Sequence, residues 1–497
     1  MRGHALLFLL AFPFFAAALV LLFPQKRRSL TILLSFLLSL LPFGAALRLF
    51  FLFPEGSTAP FREISLPWLD PGVPFHLAVD SLSLPLILLT TLLLPITLLA
   101  SWKNPGEGIK GFLSSLFLLE GALLGVFLSQ NALLFYLFWE AVLIPMYFLI
   151  GKWGGERRTG AARKFLLYTM AGSVPLLAGI LWSFSLYGRG SFEIALWTSA
   201  PLLPAALQKI LFLLFLSAFA VKLPLFPFHT WLPDAHTEAP TAGSVFLAAV
   251  LLKMGVYGFL RLAVPLFPEA VLSFRPALIA LALIGVVYGA LTAFAQEDMK
   301  RLVAYSSVSH MGLIFLGLLT LTPEGYVGGL LQSVNHGLST GALFLCVGLL
   351  YERTHTRLQR EYGGTAKAMP AFNLLFLVFL LSSAGLPGLN GFTGEFPIFW
   401  ALFLKSPWLA GAALTGTVVG AVYLLSLYKR VMTGPEKSLE SGTRLLDLSP
   451  RELLLLLPLL LLVVWIGLYP SLLTKKMAPP SYIAPFLKEY RLPGGIR

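Results

Sequence analysis

Charged residues and cysteine are both scarce in this sequence. Only 12% of the 497 residues are Asp, Glu, Lys or Arg, roughly half the share of a soluble domain. The single cysteine, Cys346, lies in an apolar run. One cysteine cannot build a disulfide framework, a cysteine–histidine zinc site or an iron–sulfur ligand set. The composition therefore excludes a disulfide-stapled fold and a redox centre held by this chain alone.

Hydrophobic residues take the place of the missing charges. They make up 57% of the chain, and the mean hydropathy is +0.82. Apolar runs of about 20 residues, long enough to cross a bilayer, recur along the chain. The runs are rich in Leu and Phe and do not alternate with polar residues, which favours helices over a β-barrel. We expect an all-α polytopic membrane protein surrounded by lipid, and we assign the net charge of +13 to membrane orientation rather than to nucleic-acid binding.

The apolar runs predict about 14 transmembrane helices. They lie near 5–23, 29–53, 80–101, 111–129, 131–150, 165–187, 208–228, 243–262, 276–296, 301–321, 326–351, 371–404, 408–430 and 452–473. The first run is too long for the apolar region of a signal peptide, and a second run follows it at once. We therefore interpret it as the first span.

The distribution of Lys and Arg predicts the orientation. Loops after odd-numbered spans carry nearly twice as many of these residues as the other loops, which places those loops inside. Both termini are then outside, together with the acidic loop from Pro54 to Val79. The basic C-terminal tail, which includes Lys475 and Lys476, opposes this assignment.

Two of the spans are interrupted. Span seven ends in Lys222-Leu-Pro-Leu-Phe-Pro-Phe-His, and span twelve contains Gly385-Leu-Pro-Gly-Leu-Asn-Gly. Broken helices at corresponding places are typical of inverted-repeat transporters, although prolines can also merely relieve packing. We expect two inverted five-helix repeats, spans 4–8 and 9–13. The expected segments are 1–110, with three N-terminal helices, 111–262 and 263–430, with one repeat each, and 431–497, with helix 14 and the tail.

Several ionisable residues lie within the apolar spans. Each costs roughly 2.5–3.5 kcal/mol to insert at mid-membrane depth, which makes it a candidate functional group. They are Glu120, Glu140, Lys222, Lys253, His310, His336 and Glu395. Low dielectric lowers the proton affinity of lysine and raises that of carboxylates, so such a row, bridged by water, can pass protons. As alternatives, Glu120 and Lys253 reach the interface by snorkelling, and the histidines are core residues with satisfied hydrogen bonds.

Glu140 and Lys222 form the most specific pair in this set. A lysine holds its proton when it is paired with a carboxylate and releases it more readily when the pair opens. Our hypothesis is that opening and closing of this pair drives proton release.

The polar segment His229–Ser244 follows the first break and contains two histidines, Asp234 and Glu238. Its prolines and spacing fit no standard metal-ligand set, so we expect no metal. Asp234 and Glu238 either control proton access or cap span eight. Further along, Glu297-Asp298 before Lys300-Arg301 predicts helix-end capping.

The same segment carries a family resemblance. Lys222-Leu-Pro-Leu-Phe-Pro-Phe-His-Thr-Trp-Leu-Pro-Asp-Ala-His-Thr-Glu-Ala-Pro-Thr-Ala-Gly-Ser and Leu-Leu-Lys253-Met-Gly resemble the central signature of the antiporter-like subunits of respiratory complex I. Phe-Trp-Glu140-Ala-Val-Leu-Ile-Pro, Ser-Val-Ser-His310-Met-Gly, Asn335-His336-Gly and Gly-Phe-Thr-Gly-Glu395-Phe are similar to the M-subunit branch, the counterpart of mitochondrial chain 4. The resemblance covers nearly the whole chain.

The resemblance implies roles for these residues. Glu140 and Lys222 would be the family's glutamate and its partner lysine, Lys253 the connecting lysine, and His310 and His336 the histidines of the central axis. Glu395 would end the channel at the second broken helix. The resemblance also implies that this chain binds no cofactor, because FMN, iron–sulfur clusters and quinone belong to partner subunits of NADH:quinone oxidoreductase.

The implied setting is a bacterial cytoplasmic membrane, with sister antiporter-like subunits and the lateral helix of one of them as partners. The first alternative is a subunit of an Mrp-type sodium/proton antiporter. The second is a membrane subunit of a related hydrogenase or ferredoxin-dependent complex, and the third is a structural scaffold that has kept inactive channel residues.

Overall fold

The computed structural model describes residues 3–23, 27–70, 73–103, 107–187, 190–435 and 445–483. The tail residues Lys488, Arg491 and Arg497, and residues 436–444 of the predicted fourth segment, lie outside these ranges. Twelve helices in the described residues are long and apolar enough to cross a membrane, and two shorter apolar helices accompany them. The prediction of a polytopic helical membrane protein is confirmed, whereas the count of 14 spans stays a prediction.

The first part of the chain forms two long helices, a β-hairpin and two further helices. These are α1 (His4–Leu22), α2 (Arg28–Leu52), β1 (Arg62–Asp70), β2 (Val73–Val79), α3 (Leu84–Ala100) and α4 (Ile109–Leu128). The antiparallel hairpin pairs Arg62 with Val79 and Leu66 with Phe75. The helical fold class is confirmed, and the structure adds this strand pair, which the all-α expectation did not include because no long apolar run marks it.

The first broken helix belongs to the next group of elements. This group contains α5 (Ala132–Ala141), α6 (Leu143–Trp153), α7 (Arg158–Tyr187), α8 (Ile194–Ser199), α9 (Ala205–Lys222) and α10 (Trp231–Glu238). The predicted fifth span is kinked between α5 and α6. Pro145 explains the kink, because it has no N–H for the carbonyl of Ala141 and its ring crowds that turn.

The next span, Thr241–Leu266, contains two π-helical turns. It consists of α11 (Thr241–Phe246), a π turn at Leu247–Leu251, α12 (Leu252–Gly258), a second π turn at Phe259–Ala263, and α13 (Val264–Leu266). Such turns, with one extra residue each, are often found at functional sites.

The remaining elements include the second broken helix. They are α14 (Pro268–Phe294), α15 (Met299–Leu319), α16 (Pro323–Thr354), α17 (Thr365–Ala368), α18 (Pro370–Ser383), α19 (Asn390–Lys405), α20 (Pro407–Met432), α21 (Pro450–Leu468) and α22 (Ser471–Thr474), with 3₁₀ turns at Gln359–Glu361 and Ser481–Ile483. Between α18 and α19, Gly385 and Gly388 have φ of +77° and +91°, which glycine adopts at low cost. The predicted breaks in spans seven and twelve are confirmed, and the division into two inverted repeats remains a prediction.

The two ends of the bundle are distinct. The helix α4 runs for about 30 Å, and the residues after it bond to the hairpin, where the N–H of Gln130 donates to the carbonyl of His76. We call this end the hairpin side. Both described chain ends lie there, since Gly3 packs against Ile64 and the N–H of Gly56 donates to the carbonyl of Lys475 at 2.8 Å.

The helices differ sharply in burial. In α15, α16 and the span Thr241–Leu266, 94% of the most apolar window is buried within the chain, against 33–39% in α1, α2, α7, α14, α20 and α21. The second group therefore forms the periphery. The first group forms the core, and it carries three of the seven predicted ionisable residues, Lys253, His310 and His336.

Candidate functional site

Lys253 occupies the centre of the core. It is fully buried and follows the first π turn, whose Ala248 carbonyl accepts a hydrogen bond from the lysine Nζ at 2.6 Å. The same Nζ lies 2.7 Å from Nδ1 of His336 on α16. The snorkelling alternative for Lys253 is therefore wrong.

A row of titratable groups continues from His336. Its ring lies 5.6 Å, centroid to centroid, from the ring of His310 on α15. Nδ1 of His310 lies 3.4 Å from Oε1 of Glu395 on α19, and Gln332 donates to the same oxygen at 3.1 Å. Lys253, His336, His310 and Glu395, four residues from four separate spans, thus meet in one row, which we call the central row.

A small cavity lies within the central row. Its volume is about 10 Å³, and His310, Asn335, His336 and Thr340 are among the residues that line it. Nε2 of His336, Oδ1 of Asn335 and Oγ1 of Thr340 have no hydrogen-bond partner among the described residues. A site of this size with several polar neighbours is at the lower limit for one water molecule.

The second broken helix is held against α16 by amide side chains. Nδ2 of Asn335 donates to the carbonyl of Asn390 at 2.6 Å, and Nδ2 of Asn390 donates back to the carbonyl of Asn335 at 3.3 Å. The hydroxyls of Ser339 and Ser382 both donate to Oδ1 of Asn390. These bonds hold the start of α19 against α16 and so position Glu395, which lies on the next turn of α19.

Glu140 and Lys222 lie apart from the central row. Lys222 is buried and Glu140 is half-buried. The two charges interact electrostatically, yet no oxygen–nitrogen contact within 4.0 Å joins them. The Lys222 Nζ has no hydrogen-bond partner among the described residues. It faces the rings of Trp139 at 5.7 Å and Phe165 at 5.5 Å, at cation–π distance.

Glu120 is isolated in the middle of α4. It is fully buried, and neither carboxylate oxygen has a hydrogen-bond partner among the described residues. Its snorkelling alternative is wrong, because the side chain does not reach the surface. Contact with the central row is not seen either, so its role remains a prediction.

A wide polar cavity opens opposite the hairpin side. Its volume is about 700 Å³, and it reaches from Glu107 and Lys152 to Glu238, Lys300 and Arg357. We call it the vestibule. It lies against the start of the helix that carries Lys253, since Thr241 and Ala242 also line it.

The two carboxylates of the polar segment lie near the vestibule. Asp234 pairs with Lys164 at 2.6 Å. Oε2 of Glu238 accepts the N–H of Arg157 at 3.0 Å and so caps α7 rather than the predicted span eight. The role of both in proton access stays a prediction.

The predicted helix-end capping at residues 297–301 holds for one residue. Oδ1 of Asp298 accepts the N–H groups of Lys300 and Arg301 at the start of α15. Lys300 is different, because its side chain is buried and donates to the carbonyl of Ala239 between α10 and α11. The sequence pattern gave no sign of this burial.

His236 is the main candidate that sequence reasoning passed over. It lies on α10, is fully buried, and stacks on Phe344 at 4.6 Å. Both ring nitrogens lack a partner among the described residues, and the ring interacts electrostatically with Lys253 and Lys300. The signal was the second histidine of the polar segment, which we weighed only as a metal ligand. Among the described residues no group of three metal-ligating side chains is found.

Comparisons with known proteins identify the family. Residues 129–420 match the family described as "NADH:quinone oxidoreductase/Mrp antiporter, TM". Residues 68–129 match the family described as "NADH-ubiquinone oxidoreductase chain 4, amino terminus".

Similar proteins extend the match to most of the chain. NADH-quinone oxidoreductase subunit M of Rhodobacter capsulatus is 43% identical, over 82% of this chain and 81% of its own length. NADH-ubiquinone oxidoreductase chain 4 of Arabidopsis thaliana is 41% identical, over 92% of both chains.

The fold agrees with the sequence comparisons. A chain in the structure of respiratory complex I from Thermus thermophilus with bound NADH superimposes with a TM-score of 0.88 and 36% identity, covering 97% of this chain and 99% of that one. The chain belongs to the family of antiporter-like membrane subunits that comprises subunit M and chain 4 of NADH:quinone oxidoreductase.

Proposed function

We propose that this chain translocates protons across the membrane as a subunit of NADH:quinone oxidoreductase. The observation that carries the proposal is the central row, in which Lys253, His336, His310 and Glu395 follow one another as neighbours. The first three lie on the most buried helices, and Glu395 is itself buried at the start of α19. Buried ionisable groups in membrane helices typically mark ion or proton paths.

The contacts of the row fit stepwise transfer. The Lys253 ammonium donates a proton to Nδ1 of His336, and the imidazole releases one from Nε2 toward the small cavity. A water molecule there passes the proton to His310, and His310 passes it to Glu395. Imidazole suits this relay, because it can take up a proton at one ring nitrogen and release another from the second, and its two nitrogens face different neighbours.

Proton uptake is assigned to the vestibule. Lys300 reaches from the vestibule to the carbonyl of Ala239. His236 lies nearby, and neither of its ring nitrogens has a partner in the described part of the chain. Because His236 interacts electrostatically with Lys253, it is the group best placed to deliver protons to the central row.

Glu140 and Lys222 supply the switch. In the present arrangement the Lys222 ammonium faces aromatic rings rather than a carboxylate. If Glu140 approaches, it stabilises the charged lysine, and when it withdraws, Lys222 gives its proton toward Lys253. The helices that carry the two lysines touch, since Gly255 packs against the backbone of Leu223.

Electron transfer belongs to the rest of the complex in this proposal. FMN, iron–sulfur clusters and quinone are bound by partner subunits, and this chain contributes no redox chemistry. Sister antiporter-like subunits and the lateral helix of one of them contact its apolar periphery. The chain lies in the bacterial cytoplasmic membrane with the hairpin side outside. The chain 4 match at residues 68–129 favours this function over that of an Mrp-type antiporter subunit.

The test measures proton pumping by the assembled complex in membrane vesicles. We expect Glu140→Gln and Lys222→Met each to slow NADH-driven proton uptake by about tenfold or more while assembly remains normal. Lys209→Met is the matched control, because Lys209 lies exposed on the same helix as Lys222. Normal pumping by the Glu140 or the Lys222 variant in a fully assembled complex contradicts the proposal. Co-purification of NADH-binding and quinone-binding subunits with this chain tests its place in the complex.

A further inference from the structure

A buried ion pair on the hairpin side is not part of the proposed proton path. Nη2 of Arg261 lies 2.6 Å from Oδ2 of Asp80, and the two side chains are 14% and 8% exposed. The other Asp80 oxygen accepts the N–H groups of Leu82 and Ser83. The pair is therefore held rigidly between the start of α3 and the second π turn.

Its position along the helix relates it to the central row. Arg261 follows Lys253 by roughly two helical turns, about 12 Å toward the hairpin side. Thr241, at the other end of the same span, lines the vestibule. Lys253 thus has the vestibule on one side and the Asp80–Arg261 pair on the other.

Aromatic rings fill the space between Lys222 and this pair. The Trp139 ring contacts Phe135 at 5.4 Å, and Phe135 contacts Tyr257 at 6.3 Å. Phe127 also packs on Tyr257, at 5.3 Å. The Tyr257 hydroxyl is engaged, since it donates to the carbonyl of Phe127 and accepts from Nε of Arg261. Apolar rings offer few hydrogen-bonding atoms to a hydrated proton.

The chain segment after α22 closes the pair from outside. The Tyr482 hydroxyl donates to the carbonyl of Leu260 at 2.6 Å. The hydroxyl of Ser81, next to Asp80, donates to the carbonyl of Ala478 at 3.0 Å. Both bonds bring the segment 478–482 against the residues that flank the ion pair.

We propose that the Asp80–Arg261 pair, together with the aromatic layer formed by Phe127, Phe135, Trp139 and Tyr257, forms an electrostatic seal. This seal stops protons from leaking from the buried lysines Lys222 and Lys253 to the hairpin side. Arginine suits a seal, because it keeps its charge and does not act as a relay. A fixed guanidinium repels a hydrated proton, as positive groups do in other selective pores. Asp80 compensates the charge so that the arginine can remain buried. The proposal rests on the proposed function, since it protects the central row.

The test measures passive proton leak, without NADH, in vesicles that contain the assembled complex and carry an imposed pH gradient. We expect Arg261→Met to make the gradient decay several-fold faster. Arg261→Lys should leak less than Arg261→Met, because a lysine paired with Asp80 holds its proton. If Arg261→Met fails to assemble, the double variant Asp80→Asn with Arg261→Gln is tested for proton leak instead, because it leaves no unpaired buried charge. We expect it to leak protons as well. If the assembled double variant holds the pH gradient as long as the unmodified complex does, the proposal is overturned.

The matched control is a second buried ion pair far from the seal. Arg353 and Glu452 lie 2.7 Å apart between α16 and α21, and Glu352, the residue before Arg353, lines the vestibule. In the double variant Arg353→Gln with Glu452→Gln, the pH gradient is expected to decay as slowly as in the unmodified complex. If this variant leaks protons as fast as the Arg261 variants, the leak comes from a general loss of packing, and the proposed seal is contradicted. Adding Lys253→Met to the Arg261 variant that leaks is expected to return the decay of the pH gradient to the rate of the unmodified complex. If the fast decay persists, protons do not leak through the central row, and the proposal is refuted. Passive leak is measured without turnover. The leak measurements therefore test the seal independently of the result for the Glu140 and Lys222 variants.

Discussion

Single side chains in the central row differ in how replaceable they are. Glu395 keeps a second contact, from Gln332, whereas His336 alone joins the Lys253 ammonium to the small cavity. His336 has a hydrogen bond to Lys253 at Nδ1 and borders the small cavity at Nε2, without a second contact that could replace either among the described residues. His336 is therefore the residue at which a single substitution should act most strongly.

We predict that His336→Gln slows proton pumping by about tenfold or more, because an amide cannot take up a proton at one atom and release another near neutral pH. Assembly and electron transfer in partner subunits should change less than pumping. The measurement is the ratio of protons moved to NADH oxidised in vesicles. His4→Gln is the control, since His4 is exposed near the start of α1. An unchanged ratio would remove His336 from the path.

At the scale of elements, the two lysines depend on close contact between helices. A Cβ on Gly255 would lie 2.7 Å from the backbone nitrogen of Leu223 and 2.9 Å from the carbonyl oxygen of Phe219. Both atoms belong to backbone at the end of α9, which cannot move aside as a flexible side chain can. The absence of a side chain at Gly255 thus brings the helix of Lys253 next to Lys222.

We predict that Gly255→Ala destabilises the chain by about 1–3 kcal/mol and slows pumping, because it pushes the two lysine-bearing helices apart. Thermal inactivation of the assembled complex and the proton-pumping rate measure the two effects. Gly160→Ala is the control, because nothing lies within 4 Å of its added Cβ. Equal behaviour of the two variants would show that the close approach is not needed.

At the scale of the whole molecule, the C-terminal lysines that opposed the predicted orientation have local partners. Nζ of Lys476 donates to the carbonyl of Phe53 at 2.6 Å, just after α2, and Lys475 pairs with Glu55 at 3.5 Å. A cation is favourable at a helix C-terminus. These two lysines are explained by contacts on the hairpin side, so they do not argue against placing that side outside.

The proposed orientation predicts which surface residues can be labelled from outside the cell. In a Cys346→Ser background, we expect a membrane-impermeant maleimide to label Thr58→Cys in intact cells. Glu156→Cys should be labelled only after permeabilisation. Both positions are exposed, at opposite ends of the bundle. The reverse pattern of labelling would invert the orientation and place the vestibule outside.

The sequence alone determined the class of the protein and most of its central ionisable residues. Long apolar runs dictate membrane helices because lipid offers no partner for backbone groups, and Glu140, Lys222, Lys253 and Glu395 stand out because a charge within such a run is costly. The breaks at spans seven and twelve followed from local proline and glycine chemistry. Apolar length, a charge within an apolar run and a break at proline or glycine are all properties of short segments, so they can be recognised in the sequence without knowledge of the packing.

Only the tertiary structure decided which of these residues meet. Lys253, His336, His310 and Glu395 come from four separate spans, and helix packing brings them together, whereas Glu140 and Lys222 remain without a direct bond. His236 and Lys300 were missed because they lie in or beside polar stretches, where no apolar run marks a charge as buried. Whether a polar segment faces water or folds back into the core depends on contacts between distant parts of the chain, and these are set by the packed structure.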